Sequence, residues 1–509
     1  MTADSRVTAT GASSGPGRAP ATPAIDIKKQ RRSMLASVTG QLLEWYEWSA
    51  YAVFAPFIAG ALFNPQNQVS ALLSTFGVFA IGFLFRPLGG VVFGRIADKR
   101  GRRFVLVTTM LMMAGGSVMI GLLPTFESIG ILASALLLLA RVVQGFAHGG
   151  ESATANSYIA EIAPAHRRGL WGSTVFMTIF GGAIIAFVIG GIITGTLSEP
   201  DVQSWGWRIP FLLGAVLAVV ALWLRVGMVE SQVFQADEAT PVIEDPAAAR
   251  TAAEAPAATP REGASPQGTP REGASPQGTS ATAAPATDSG TGSGTGSLHR
   301  GLGVESFTEK TLAPLSRPLS IVLIFFLVSG VAASNYTWTS YVSTYAISQE
   351  GMDPSGAYWS LVAALVVGLA ALPFWGAVSD RVGRRPVLLI FAIGVIVTQF
   401  PLMAFIDDRP WTLFVATSIG LFVLSAGASL LACVMAETFP THARTASIGL
   451  AYSLATAVFG GTTPYVNQLA VSQGVPWAAN AFILFAAALA LWAVTRLPER
   501  RAIDLTIVR

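Results

Sequence analysis

Glu44 and Glu47 stand three residues apart in an apolar stretch, with Tyr51 four further on, so all three share one face of a helix. A second apolar stretch carries Arg141, Gln144, His148 and Glu151 at helical spacing, and a third carries Arg86. These residue types offer two kinds of chemistry. A buried carboxyl or imidazole takes up and releases a proton as its surroundings favour one form or the other. A guanidinium receives a carboxylate through two parallel hydrogen bonds. An ionisable group at the middle of a bilayer costs at least ~2.5–3.5 kcal/mol, so each of these is a functional hypothesis.

The rest of the chain says what must position them. It has 509 residues, 52% hydrophobic and only 12% charged, against about 25% charged in a typical soluble protein. The charges cluster between apolar runs long enough to cross about 30 Å of hydrocarbon. Helices are predicted near 34–62, 70–95, 103–124, 129–161, 168–197, 207–225, 318–347, 355–379, 386–406, 411–439, 445–471 and 477–496. The expectation is an all-α membrane protein with twelve transmembrane helices in two pseudo-symmetric six-helix halves. At 1.5 Å per residue Glu44 lies roughly 16 Å along the first helix, near the midplane, and Arg141 reaches a similar depth on the fourth. Two pairs are expected: Arg141 with Glu44 or Glu47, and Arg86 with Glu151. Permanent structural ion pairs are the competing reading.

Alternate connectors are basic, through Arg102, Arg103, Arg167, Arg168, Arg384 and Arg385, while the others hold almost no Lys or Arg. The positive-inside rule puts the basic connectors and both termini in the cytoplasm of a plasma-membrane protein. The expected organisation is a disordered tail over 1–32, a six-helix half over 33–227, a disordered cytoplasmic linker over 228–316, a second half over 317–497 and a short tail over 498–509. The linker is rich in Ala, Pro, Gly, Ser and Thr, and repeats Thr-Pro-Arg-Glu-Gly-Ala-Ser-Pro-Gln-Gly at 259–268 and 269–278. The single cysteine, Cys433, excludes a disulfide framework within the chain. No pattern calls for a metal or cofactor, for enzymatic chemistry, or for a nucleic-acid surface.

Two motifs recur, one copy per half. Gly94-x-x-x-Asp98-Lys99-x-Gly101-Arg102-Arg103 matches Gly376-x-x-x-Asp380-Arg381-x-Gly383-Arg384-Arg385. Glu161-x-x-Pro164-x-His166-x-Arg168 matches Glu437-x-x-Pro440-x-His442-x-Arg444. Matching positions argue for duplicated six-helix units about an axis along the membrane normal. Gly94 and Gly376 are expected to allow close helix packing, and Gly101 and Gly383 a turn with positive φ. Asp98 and Asp380 are expected to bond a neighbouring helix N-terminus or an arginine. With Arg102, Arg103, Glu161, Arg168, Arg384, Arg385, Glu437 and Arg444 they read as a conformational latch; the alternative is charges that only set topology.

The repeated loop resembles the signature loop of the major facilitator superfamily. Arg141-x-x-Gln144-Gly145-x-x-x-Gly149-Gly150-Glu151, Arg86-Pro87-Leu88-Gly89-Gly90 and Phe459-Gly460-Gly461-Thr462-Thr463-Pro464 resemble motifs of its metabolite:H⁺ symporter family, as does Trp205-Gly206-Trp207-Arg208-Ile209-Pro210. The resemblance implies the major facilitator fold, acting as a monomer in a lipid bilayer. It also implies proton-coupled uptake of a small organic acid or zwitterion, with a 2-oxoglutarate-like dicarboxylate favoured. The first helix departs from the family pattern: Gln41, Glu47 and Trp48 stand where Asn, Asp and Phe are usual. These larger side chains bear on which solute fits.

A coupling scheme follows. A solute carboxylate at Arg141 competes with a glutamate for the guanidinium, and the released carboxyl, Glu47 or Glu44, then favours a proton. His148 is either a relay or a packing residue. Tyr336, Tyr341 and Tyr452, with Asn335 and Asn467, are expected on the opposite cavity wall or in aromatic packing. Arg208 either attracts anions or anchors a helix end. A same-fold exporter would show a large apolar cavity without a solute-facing arginine. A transporter-like sensor would signal through the linker.

Overall fold

The computed structural model describes residues 27–64, 66–100, 102–149, 159, 163–226, 316–440, 443–501 and 503, without side chains at 27–39, 97–98, 102–103, 221 and 223–226. The expectations for residues 1–26, for all but the last residue of the linker, and for the end of the C-terminal tail therefore lie outside the described residues.

Twelve helical stretches follow one another among the described residues. We label them α1 (Ile27–Val53, continued by Ala55–Leu62), α2 (Gln68–Leu84 and Arg86–Arg100), α3 (Arg102–Gly121), α4 (Ile131–His148), α5 (Arg168–Thr196) and α6 (Ile209–Val226). The second half comprises α7 (Arg317–Tyr336, extended to Ser348), α8 (Pro354–Val382), α9 (Arg384–Phe405), α10 (Pro410–Ala428 and Leu431–Thr438), α11 (Arg444–Ala455, extended to Ser472) and α12 (Pro476–Arg496). Nine described helices are long and apolar enough to cross a membrane, and α6 contributes a shorter apolar stretch. The other two, α1 and α11, interrupt their apolar runs with buried Gln41, Glu44 and Glu47, and with Asn467 and Gln468. The architecture is that of an all-α multi-pass membrane protein of two six-helix bundles. The described part of the first helix runs from Ile27.

Small residues set the closest approaches. A Cβ on Gly145 of α4 would fall 1.8 Å from the Gly82 carbonyl of α2, and one on Gly149 would fall 1.9 Å from the Arg86 carbonyl. Only glycine permits backbones this near. The two halves meet along α5 and α8. Gly169 and Gly376 face each other at one end, and Tyr358 packs on Gly190 at the other, its hydroxyl donating to the Val53 carbonyl at 2.7 Å. They meet again where Gly461 of α11 lies against the Phe83 side chain of α2.

The sequence reading has plain helices where the structure has two π-helical turns, Thr337–Tyr341 in α7 and Thr456–Gly461 in α11. The second covers the first three residues of the Phe459–Pro464 motif. Pro464 has no N–H to continue the regular ladder, and Thr462 and Thr463 donate their hydroxyls to the carbonyls of Val458 and Phe459. Periodicity cannot reveal such a turn, because one extra residue hardly disturbs an apolar pattern.

Candidate functional site

Helix α1 turns both glutamates into the interior of the first bundle. Glu47 is 4% exposed. Its carboxylate accepts from the Gln144 amide at 3.1 Å, and that amide also reaches the Ser117 hydroxyl at 2.9 Å. One turn earlier, a Glu44 oxygen meets Nδ1 of His148. The His148 ring stands edge-on to the indoles of Trp45 and Trp48. His148 is thus the partner of a buried carboxylate rather than a lone packing residue.

The arginines also lie near these indoles, Arg86 over Trp45 and Trp48 and Arg141 over Trp48. Arg141 lies over the Tyr51 ring at 3.8 Å, and Tyr51 is fixed by donating to the Thr75 carbonyl at 2.8 Å. Arg86 stacks on Phe83 at 3.6 Å and on Trp48 at 4.3 Å. The glycine contacts between α2 and α4 bring the two guanidiniums near each other. Each feels its ring as a cation–π partner, and each is buried, at 1% exposure for Arg141 and 2% for Arg86. All three guanidinium nitrogens of Arg141, and Nε and Nη2 of Arg86, lack an acceptor among the described residues. Arg86 reaches the interface between the halves, close to Tyr336 and Tyr452.

The expected ion pair between Arg141 and a glutamate is not formed. The glutamates point toward α3 and α4, where Gln144, Ser117 and His148 satisfy them, while Arg141 turns to the aromatic face of α1. Glu47 stays close enough to interact electrostatically with Arg141. The expected partner of Arg86, Glu151, lies outside the described residues.

The second half supplies a neutral wall. Tyr336 and Tyr452 are buried, and the Tyr341 hydroxyl donates to the Gln468 side chain at 3.4 Å. Asn467 donates to the Thr337 hydroxyl at 3.4 Å, and Gln399 to Asn480 at 3.1 Å. Gln399, Gln468 and Asn480 were not singled out from the sequence, although an amide inside an apolar run is a readable signal. A cleft of about 690 Å³, open mouth included, runs past Tyr341, Tyr345, Gln399, Asn467 and Trp477.

At the basic-loop face a compact ionic cluster joins the halves. Asp380 accepts the backbone N–H groups of Gly169 and Leu170, both at 2.9 Å, at the start of α5. It also accepts from Arg384 at 2.7 Å. Arg384 grips Glu437 through Nε and Nη2 at 3.2 and 3.1 Å, and Arg168 reaches the same carboxylate at 3.3 Å. The Asp380 carboxylate thus tops the N-terminus of α5, where negative charge is stabilising. Arg444 donates to the carbonyls of Ala436 and Phe439. Gly383 takes φ of +107°. Gly376 packs closely, as expected, and a Cβ on Gly94 would meet no described atom within 4 Å.

Two residues beyond α12 were missed. Glu499 accepts the N–H groups of Arg384 and Arg385 at 2.9 and 2.8 Å, and Arg500 donates to the Glu437 carbonyl at 2.9 Å. Partial burial lowers the pKa of Arg500 from its ordinary value, with Glu437 opposing. Their position past the last apolar run gave no signal. In the first half the side chains of Asp98, Arg102 and Arg103, and residue Glu161, lie outside the described residues. At the opposite face Arg208 stacks on Trp207 and donates to the carbonyls of Ser204 and Leu123, which anchors the start of α6.

Known proteins share this plan. Residues 33–258 match the family described as Sugar (and other) transporter, and residues 322–505 match the Major Facilitator Superfamily. The alpha-ketoglutarate permease of Escherichia coli (strain K12) is 32% identical over 452 residues, covering 88% of this chain and 89% of that one. The ectoine/proline transporter of Corynebacterium glutamicum is 30% identical over 482 residues, covering 91% and 83%. A solved structure of a proton:xylose symporter bound to 6-bromo-6-deoxy-D-glucose superposes with a TM-score of 0.66, over 94% of this chain and 98% of that one. At 16% identity it speaks to the fold alone. Since these likenesses run through both bundles from end to end, the chain belongs to the major facilitator superfamily of secondary transporters, in its metabolite:H⁺ symporter-like group.

Proposed function

We propose that this protein is a proton-coupled symporter that imports a small organic anion, a 2-oxoglutarate-like dicarboxylate above all, by alternating access. One observation carries the reading. Arg141 and Arg86 are buried guanidiniums, and all three nitrogens of Arg141 with Nε and Nη2 of Arg86 lack acceptors among the described residues. Leaving buried charged donors unsatisfied costs several kcal/mol, which a bound carboxylate would recover. A dicarboxylate offers one carboxylate to each arginine. The relative named for alpha-ketoglutarate supports this class. The relative named for ectoine and proline supports a second reading, a zwitterion, with its carboxylate on Arg141. The protein sits in the plasma membrane with the basic loops and both termini in the cytoplasm, and works as a monomer.

Coupling runs between Arg141 and the glutamates. A solute carboxylate neutralises the guanidinium that helps to keep Glu47 ionised, and protonation of Glu47 then becomes favourable. By linkage, the proton strengthens solute binding to the same degree. The Asp380 cluster acts as the latch, because parting the halves at that face must break its bonds to Gly169 and Leu170. Uptake of 2-oxoglutarate and of proline into proteoliposomes, with the lumen alkaline, tests the scheme. Wild type should accumulate one of them, and Glu47→Gln should exchange that solute without accumulating it. Accumulation indifferent to the pH gradient would remove proton coupling, and full accumulation by Glu47→Gln would remove that residue as the carrier.

A further inference from the structure

The two glutamates and His148 line a crevice inside the first bundle, between α1, α3, α4 and α6. Its other walls are Gly40 and Leu43 of α1, Thr109, Met110 and Met113 of α3, and Ala218 of α6. Neither arginine lines it, and no described residue of the second half does. The crevice spans about 390 Å³, open mouth included, and has room in all for about two waters. Gly40 and Thr109 lie on the basic-loop side of Glu47, two helical turns nearer the ends of α1 and α3 that carry the basic loops.

We infer that this crevice is a proton route, separate from the solute's path, that connects Glu47 and the Glu44–His148 pair to the basic-loop face. The inference rests on the symport reading and adds where the proton leaves. On α1, Glu44 and Glu47 line the crevice, while the neighbouring Tyr51 and Trp48 rings lie against Arg141 and Arg86. Proton release is then a local event: the carboxyl O–H bond breaks, an O–H bond forms on a crevice water, and the hydronium departs, leaving a carboxylate. Ionisable groups facing the pair come from α1 (Glu44, Glu47, Tyr46), α4 (His148, Arg141) and α2 (Arg86). The described crevice walls of α3 and α6 contribute only Thr109, methionines and Ala218. A proton confined to the gap between the halves would have to pass the two guanidiniums, which repel it.

The test fills the crevice from its far wall. Ala218 touches neither arginine nor glutamate in any hydrogen bond or ion pair described. In proteoliposomes containing the full chain, Ala218→Leu should keep solute exchange at equal pH, which needs no net proton release, within about twofold. Accumulation driven by a pH gradient should fall at least about tenfold, the scale of a lost proton-transfer path. Met110→Phe fills the same space from α3 and serves if Ala218→Leu fails to reach the membrane; Ala218→Ser, polar and small, should match wild type. The probe is 2-oxoglutarate or proline, whichever wild type exchanges. If filled variants accumulate solute like wild type, or lose exchange and accumulation in parallel, the separate route is wrong. If wild type itself ignores the pH gradient, the symport reading has failed instead.

Discussion

The two bundles hold different chemistry in related scaffolds. In the first, α1 and α4 bury two carboxylates, an imidazole and a guanidinium, joined by a second guanidinium from α2. In the second, the corresponding depth of α7 and α11 holds amides, hydroxyls and tyrosines. At the basic-loop face the second bundle bears a described ionic cluster, closed by the segment after α12. The backbones differ too: the first bundle packs α2 on α4 through glycines, and the second widens α7 and α11 into π turns. Duplication kept the loop motifs and let the interiors diverge. Ions in the first bundle can couple to a proton, and neutral hydrogen bonds in the second can shape a wall without binding one.

The largest expected effect lies at Arg141. Arg141→Ala should weaken solute binding by about 2–5 kcal/mol, measured by calorimetry on purified protein. The matching change in the neutral wall, Gln468→Ala, should cost no more than about 1.5 kcal/mol. Equal losses would break the asymmetry between the halves. Next comes Asp380→Asn, which removes a charged acceptor from two backbone donors and Arg384. It should shift the equilibrium away from the closed latch by about 1.5–3 kcal/mol, read as faster thiol labelling of a cysteine placed beside Gly169. Asp98→Asn should have a similar effect if the first half closes in the same way, so a silent Asp98→Asn would make the latch one-sided. Gly145→Ala forces α4 off α2 and should lower thermal stability by about 1–3 kcal/mol. Gly94→Ala is the smallest effect: with no described atom within 4 Å of its Cβ position, melting should change by less than about 0.5 kcal/mol.

Much of this was readable from residues alone. Apolar runs and basic loops marked the helices, because a bilayer enforces both, and the duplicated loop motif marked the halves. Glu44, Glu47, Arg86, Arg141 and Gln144 stood out because charge and amide are costly in hydrocarbon. Their pairing was not legible. Spacing along a helix gives depth, and the rotation of α1 decides whether Glu47 faces Arg141 or Gln144. Glu499 and Arg500 lay past the last helix, where sequence gives no hint that the chain folds back.

The π turns of α7 and α11 bear on how this wall could change over generations. A π turn holds one residue more than the helix needs. Deleting that residue would return the turn to regular helix and rotate everything beyond it by about 100°. In α7 that would swing Tyr345 and its neighbours to a different face; in α11 it would do the same to Asn467 and Gln468. A single codon lost or gained could thus exchange several wall residues at once, a coarser step than any substitution. A lineage changing its solute could reset the neutral wall in this way and leave the charged half untouched.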